Sequence, residues 1–195
     1  MKPNWRFNIL LLSLLLTGCA VTREQTYQAT GQNRLCDKPE VSLGNIAVLP
    51  ESAWRVDQKE PLKRESMALQ VIMESFSELP CGSIQQPGSV EAFSNWSNQA
   101  ESTLTKQFFA RGVDTIIMLR IEELTPHFEF TFSIPFLWIG SNEADFRIRA
   151  LSTVSGEVIT DMRVRRTTGG PFNIRPAEWS RAELSSALAN IIQTP

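Results

Sequence analysis

The order of elements along the chain predicts a layered α/β (α+β) sandwich, a single domain with a small mixed sheet of about four to six strands and three helices. Three observations carry this expectation. Short apolar runs rich in β-branched residues alternate with stretches of helical periodicity. A glycine-centred turn joins two segments whose apolar residues fall opposite one another. Beyond the first twenty residues no run of 18 apolar residues occurs, so nothing there predicts a membrane-spanning helix.

Taken in order, Ile46-Ala47-Val48-Leu49, ended by Pro50, reads as a buried strand. Pro61 suits a first helical turn, and Leu69, Ile72, Met73, Phe76 and Leu79 recur at helical spacing before Pro80 stops them. A weak strand follows near Ile84. Ser89, after Pro87-Gly88, is the expected N-cap of a second helix with Phe93, Trp96, Ala100, Leu104 and Phe108 on one face and Gly112 as C-cap. Val113 through Ile121 is apolar at consecutive positions and predicts a central strand. Phe146 to Val164 predicts a hairpin turning at Val154-Ser155-Gly156, with Gly156 left-handed and Thr153 opposite Glu157. Counting outward pairs Ile148 with Met162 and Phe146 with Val164 on an apolar face, and Arg149 with Asp161 and Arg147 with Arg163 on a charged one. Pro176 opens a last helix carrying Leu184, Leu188, Ile191 and Ile192.

The N-terminus gives an address. Lys2 and Arg6 precede an apolar run from Ile9 to Leu16, broken only by Ser13, and Leu16-Thr17-Gly18-Cys19 closes it. This segment resembles a bacterial lipoprotein signal peptide with its lipobox. The resemblance implies cleavage after Gly18 and a Cys19 acylated on sulfur and on its new amino group, with palmitate and diacylglycerol as the expected lipids. An uncleaved anchor or an ordinary signal peptide cut elsewhere is the plainer reading. The expected organisation is residues 1–18 as a cleaved signal, 19–43 as a lipidated cysteine with a polar tether, and 44–195 as the globular domain. Ala20 after the cysteine resembles an outer-membrane sorting pattern, which implies a lipid-anchored protein on the periplasmic face of a bacterial outer membrane. Nineteen basic and 21 acidic residues become 17 and 21 once Lys2 and Arg6 are removed, a net charge of −4 that argues against nucleic-acid binding. Cys36 and Cys81 remain as an even pair in an oxidising compartment and are expected to be bonded to each other, the alternatives being two buried thiols or an intermolecular bridge.

Asn45-Ile46-Ala47-Val48-Leu49-Pro50, then Gly112 through Ile121 after a helix, then Ser155-Gly156-Glu157-Val158-Ile159 at a hairpin, occur in an order that resembles a group of envelope proteins. The group comprises the TolB N-terminal domain, the lipoprotein activators of penicillin-binding proteins and the curli secretion lipoprotein, and the resemblance covers roughly residues 43–193. It implies accessory roles in assembly, secretion or activation, and it transfers no activity.

Two constellations remain. Phe128, Phe130, Phe132 and Ile134 alternate, and Pro135-Phe136-Leu137-Trp138-Ile139-Gly140 follows at once. A core strand with its covering loop accounts for this; so does an exposed apolar hairpin that docks on a partner, packs in a homo-oligomer or dips into the bilayer. Glu129, Thr131 and Ser133 already supply a polar side, and the run beyond exceeds what a strand needs, which favours the second reading. Arg147, Arg149, Arg163 and Arg165 share the polar hairpin face, with only Asp161 and Glu157 counted against them. The bland reading is a solvated sheet face, the sharper one a basic site for a carboxylate-rich partner or anionic envelope polymers. An enzyme is not expected: the single histidine, His127, has no Gly-x-Ser-x-Gly elbow, and no phosphate loop, dinucleotide fingerprint or metal motif occurs. No cofactor is implied. The expected function is that of a non-enzymatic lipoprotein binding another envelope protein through residues 126–140. The alternatives are a lipid- or small-ligand-binding auxiliary and, further off, a component of an oligomeric secretion pore.

Overall fold

The computed structural model describes residues 21–32, 34–36, 42–54, 56, 58–84, 96–130, 138–171 and 178–192. Cys19 and its preceding segment, Ser89, Phe93, Phe132, Ile134, Phe136, Leu137 and Pro176 lie outside them. Among the described residues six strands form one mixed sheet: β1 (Val21–Gly31), β2 (Gly44–Ser52), β3 (Gly82–Ile84), β4 (Thr115–Phe130), β5 (Trp138–Ser152) and β6 (Val158–Pro171). Their spatial order is β1-β6-β5-β4-β2-β3, with β2 parallel to β3 and β4 and all other neighbours antiparallel. The helices α1 (Pro61–Ser77), α2 (Glu101–Phe109) and α3 (Trp179–Ile192) complete the α+β domain among the described residues.

The sheet is covered unequally. On one face α1 and α3 bury Val48, Ile117, Leu119, Phe146, Ile148, Met162 and Val164 under Ala68, Ile72, Phe76, Leu184 and Leu188. Each such side chain contributes about 1.5–3 kcal/mol on leaving water. On the other face α2 and the 3-10 turn Trp96–Asn98 pack over β2 and β4, with Leu104, Phe108 and Trp96 over Ala47, Leu49 and Ile116, and Glu101 of α2 reaches Arg149 of β5. Along β5, β6 and β1 that second face carries no helix among the described residues. Arg64, almost wholly buried, ties α1 to the sheet by donating to the carbonyls of Lys59 (2.6 Å) and Leu124.

The expected strand at Ile46 runs on through Pro50, because β3 pairs with β2 only from Gly44 to Ile46, which leaves that edge open at Pro50, where no N–H is required. Ala68, Val71, Ile72 and Phe76 make the buried stripe of α1, with Leu69 and Met73 on its flanks. The second helix is not one continuous segment: the backbone forms a 3-10 turn at Trp96–Asn98, extends at Ala100 and re-enters a helix at Glu101. The β5–β6 hairpin pairs Arg147 with Arg163, Ile148 with Met162 and Arg149 with Asp161, as counted from the turn, and Gly156 adopts φ 74°. An irregularity at Ala150/Leu151 shifts the pairing nearer the turn by one, so Leu151 faces Val158 and Ser152 donates to the carbonyl of Glu157 (2.9 Å).

The largest departure from expectation is residues 21–31. They are polar and were expected to form a tether; they form β1, an edge strand paired with β6 from Val21 opposite Gly169 to Gly31 opposite Thr160. Burial of apolar side chains does not hold it, since Val21 and Tyr27 are more than half exposed. Ladder hydrogen bonds and polar side-chain contacts do. Arg166 reaches both Glu24 of β1 and Glu183 of α3, Thr22 meets Thr168 (2.9 Å), and Asn190 donates to Glu24 (3.0 Å). Polar, charged edge strands of this kind also resist pairing with other chains. The disulfide Cys36–Cys81 closes the far end, its Cα atoms 5.5 Å apart, joining the chain after β1 to the start of β3.

Candidate functional site

The face of β5, β6 and β1 that carries no helix among the described residues is where the four predicted arginines lie, and the structure brings them together. It also supplies partners that the sequence count had missed. Arg147 grips Asp161 with two parallel hydrogen bonds (2.7 and 2.6 Å), and Arg149 reaches the same carboxylate and Glu101 of α2. Arg163 holds Asp145 through two bonds of 2.8 Å and also contacts Glu122, while Arg165 pairs with Glu143 (2.7 Å). The expected basic patch, counted with Asp161 and Glu157 alone against it, is instead a ladder in which four arginines meet Asp161, Asp145, Glu143, Glu122 and Glu101.

Register explains the pattern. Arg147 and Arg163 stand directly opposite each other, an unfavourable like-charge pair. Each escapes diagonally, Arg147 to Asp161 and Arg163 to Asp145, and Arg165 likewise reaches diagonally to Glu143. Asp161 and Asp145 are almost fully buried beneath the guanidinium groups, whereas Arg147, Arg163 and Arg165 are about half exposed. The Arg147 hydrogen bonds hold the Asp161 carboxyl below its ordinary range, against the opposing effect of its burial and with help from Arg149. Arg147, Arg163 and Arg165 are raised in turn, chiefly by their hydrogen bonds to Asp161, Asp145 and Glu143. What solvent meets is a row of fixed, planar guanidinium edges with Tyr27 opposite Arg163 and Gln25 opposite Arg165 on the edge strand. The Nε–Nη2 edges of Arg147 and Arg163 are taken by Asp161 and Asp145, so a partner's oxygens would meet the remaining Nη1 and Nη2 hydrogens.

The aromatic segment occupies one end of the sheet. β4 runs to Phe130 and β5 starts at Trp138, and these two residues are paired, as are Phe128 and Gly140. His127 stands opposite Ser141 in the same ladder. The glycines nearby permit close approach: a Cβ on Gly169 would lie 2.6 Å from both the Gly140 carbonyl oxygen and Ser141 Cβ.

Among the described residues no cluster of three or more His, Cys, Asp or Glu could hold a metal ion, and no helix is long and apolar enough to cross a membrane. Open clefts flank the sheet among the described residues. One, of about 480 Å³, is lined by Gln32, Leu43, Asp114, Thr115 and Glu157; another, of about 220 Å³, lies between Trp96 and Arg120 at the edge of α2. On the helical face Asn142 and Ser180 are fully buried, their side-chain polar atoms without a hydrogen-bond partner among the described residues, next to the Thr168–Glu183 contact (2.9 Å).

No family model matches the chain, and no curated protein matches it. Among solved structures it is similar to the PelC dodecamer from Paraburkholderia phytofirmans, with 9% identity, 89% of this chain and 100% of that chain covered, and a TM-score of 0.46. It is also similar to the lipoprotein GNA1162 from Neisseria meningitidis, with 12% identity, 77% and 96% covered and a TM-score of 0.43. A third is protein XCC0632 from Xanthomonas campestris, with 11% identity, 84% and 87% covered and a TM-score of 0.41. At these scores and identities the likenesses lend no residue role and no activity to this chain.

Proposed function

We propose that the chain is a lipid-anchored accessory protein of a bacterial envelope, held at Cys19 on the periplasmic face of the outer membrane, that binds a protein partner and performs no catalysis. The observation that carries the reading is Leu16-Thr17-Gly18-Cys19 after a basic and apolar leader, two residues ahead of a folded strand. The Cys36–Cys81 disulfide supports an oxidising compartment. The partner surface is the face of β5, β6 and β1 that carries no helix among the described residues, where half-exposed arginines are held in place by the carboxylates of Asp161, Asp145 and Glu143. Fixing those side chains in the free protein lowers the ordering cost of association.

A photoreactive residue at Arg165 or Tyr27, in the intact protein in its native envelope, tests this. A discrete protein adduct at both positions, recovered again from a probe placed on the identified partner, is the expected result. No protein adduct at either position would contradict the reading. His127→Ala is expected to leave the phenotype intact; its loss would return an enzyme to consideration.

A further inference from the structure

Strand register lines up three arginines in one row. Arg120 of β4 stands opposite Arg147 of β5, and Arg147 opposite Arg163 of β6, so neighbouring strands bring like charges within about 4.5–5.5 Å at Cα. Such pairs destabilise a sheet unless something offsets them. Asp161 and Asp145 do so for Arg147 and Arg163. Arg120 is exposed and has no ion pair among the described residues. Its neighbour Arg147 grips Asp161 through Nε and Nη2, which leaves Nη1 for another acceptor. Both guanidinium groups border the cleft of about 220 Å³ at the edge of α2, where Leu49, Trp96 and Met118 supply apolar walls. Trp96 is held by an edge-on contact with Phe108, and its buried indole Nε1 has no acceptor among the described residues. The cleft has the volume of roughly seven waters and is smaller than the roughly 300–1,000 Å³ of small-molecule sites. It has room for one residue.

We infer that this cleft seats the C-terminal residue of the partner chain, its apolar side chain against Trp96 and Met118 and its carboxylate between Arg120 and Arg147. This rests on the proposed partner surface, with which the cleft is continuous through Arg147. A chain terminus carries a full negative charge and an apolar side chain on the same carbon, which is what two guanidinium groups beside an apolar wall require. An aspartate or glutamate side chain has too short a stem to cover Trp96 and Met118 while its charge reaches the arginines. A phosphate group, with a charge of about −1.5 to −2, would be set against Glu51 and Glu101, which border the same cleft. A carboxylate brings one charge only. Capture of a terminal carboxylate is a recurring mode of peptide recognition, and a seated apolar side chain strengthens it by excluding water from the charged hydrogen bonds.

The test places a photoreactive residue at Gln99, on the exposed rim of the cleft, in the intact protein in its native envelope, and maps the adduct by mass spectrometry. The expected adduct lies within the last few residues of the partner. In parallel, fluorescent peptides Gly-Ser-Gly-Ser-Leu and Gly-Ser-Gly-Ser-Phe are titrated into the purified full-length lipoprotein in detergent, as free acids and as C-terminal amides. The free acids are expected to bind at least about ten-fold more tightly than the amides, as loss of a charged hydrogen-bond acceptor implies. Arg120→Gln should abolish that difference, and Lys63→Gln on α1 should preserve it. An adduct inside the partner's sequence overturns the inference, as does equal binding, or none, of acid and amide. Displacement of the free acid by an equal concentration of inorganic phosphate also overturns it, by revealing a general anion site. Adducts at Arg165 and Tyr27 with none at Gln99 overturn it and leave the partner surface standing; no adduct at any of the three positions removes both.

Discussion

Replacing Asp161 with Asn tests whether the arginine ladder is organised from beneath by its carboxylates. The Asp161 side chain is 3% exposed and accepts two hydrogen bonds from Arg147 and one from Arg149. A broken buried ion pair costs about 3–5 kcal/mol, and an exposed one less than about 1 kcal/mol. Here the carboxylate is buried, but Arg147 is 49% exposed and can rehydrate, and Arg149 keeps Glu101. The expected cost of Asp161→Asn is therefore intermediate, about 2 kcal/mol, or roughly 4–8 °C in Tm for a domain of this size. The pH dependence has a definite sign. Because the folded state holds the Asp161 carboxyl below its unfolded value of about 3.9, its contribution is complete above that pH and is lost as pH falls through the folded value. Thermal melts followed by circular dichroism at pH 7, and stepwise downward from pH 5, should show a gap between the proteins that closes only in the acid limb. A gap below about 0.5 kcal/mol at pH 7, or one that stays constant into acid, would refute the argument.

Other consequences follow from the same geometry. Joint replacement of Cys36 and Cys81 by Ala opens a loop with a sequence separation of 45 and should cost about 4 kcal/mol in the chain-entropy model, read by urea denaturation. Gly169→Ala brings a Cβ against the Gly140 carbonyl and Ser141, so a loss of about 1–3 kcal/mol is expected by the same assay. Arg166→Met removes the link between Glu24 and Glu183, and hydrogen exchange should quicken across β1 while β4 stays protected. Equal acceleration in both strands would mean that β1 is not held locally.

The elements with a strong apolar period were readable without coordinates. The β5–β6 register followed from one turn glycine and the demand that Phe146, Ile148, Met162 and Val164 share a face. β1 was not readable, because neither of its faces is apolar and its stabilising partner, Arg166, lies 142 residues from Glu24. The charge balance of the arginine face was partly available: the predicted register already sets Asp145 opposite Arg165, and diagonal reach brings it to Arg163. Glu122 could not be placed in advance, since it sits at the β4 irregularity between Ile121 and Glu123, and the Arg149–Glu101 contact depended on where α2 begins. The break at Ala100 likewise left no mark in the spacing of Trp96, Leu104 and Phe108, which keep one face on either side of it.

The proposed role rests on a folded strand, β1, that begins two residues after a lipidated cysteine. Intact mass spectrometry of the protein extracted from its own membranes reads that anchor. A chain beginning at Cys19 whose excess mass equals a diacylglycerol plus one acyl group is expected; a chain retaining residues 1–18, or one beginning elsewhere without lipid, would overturn the reading.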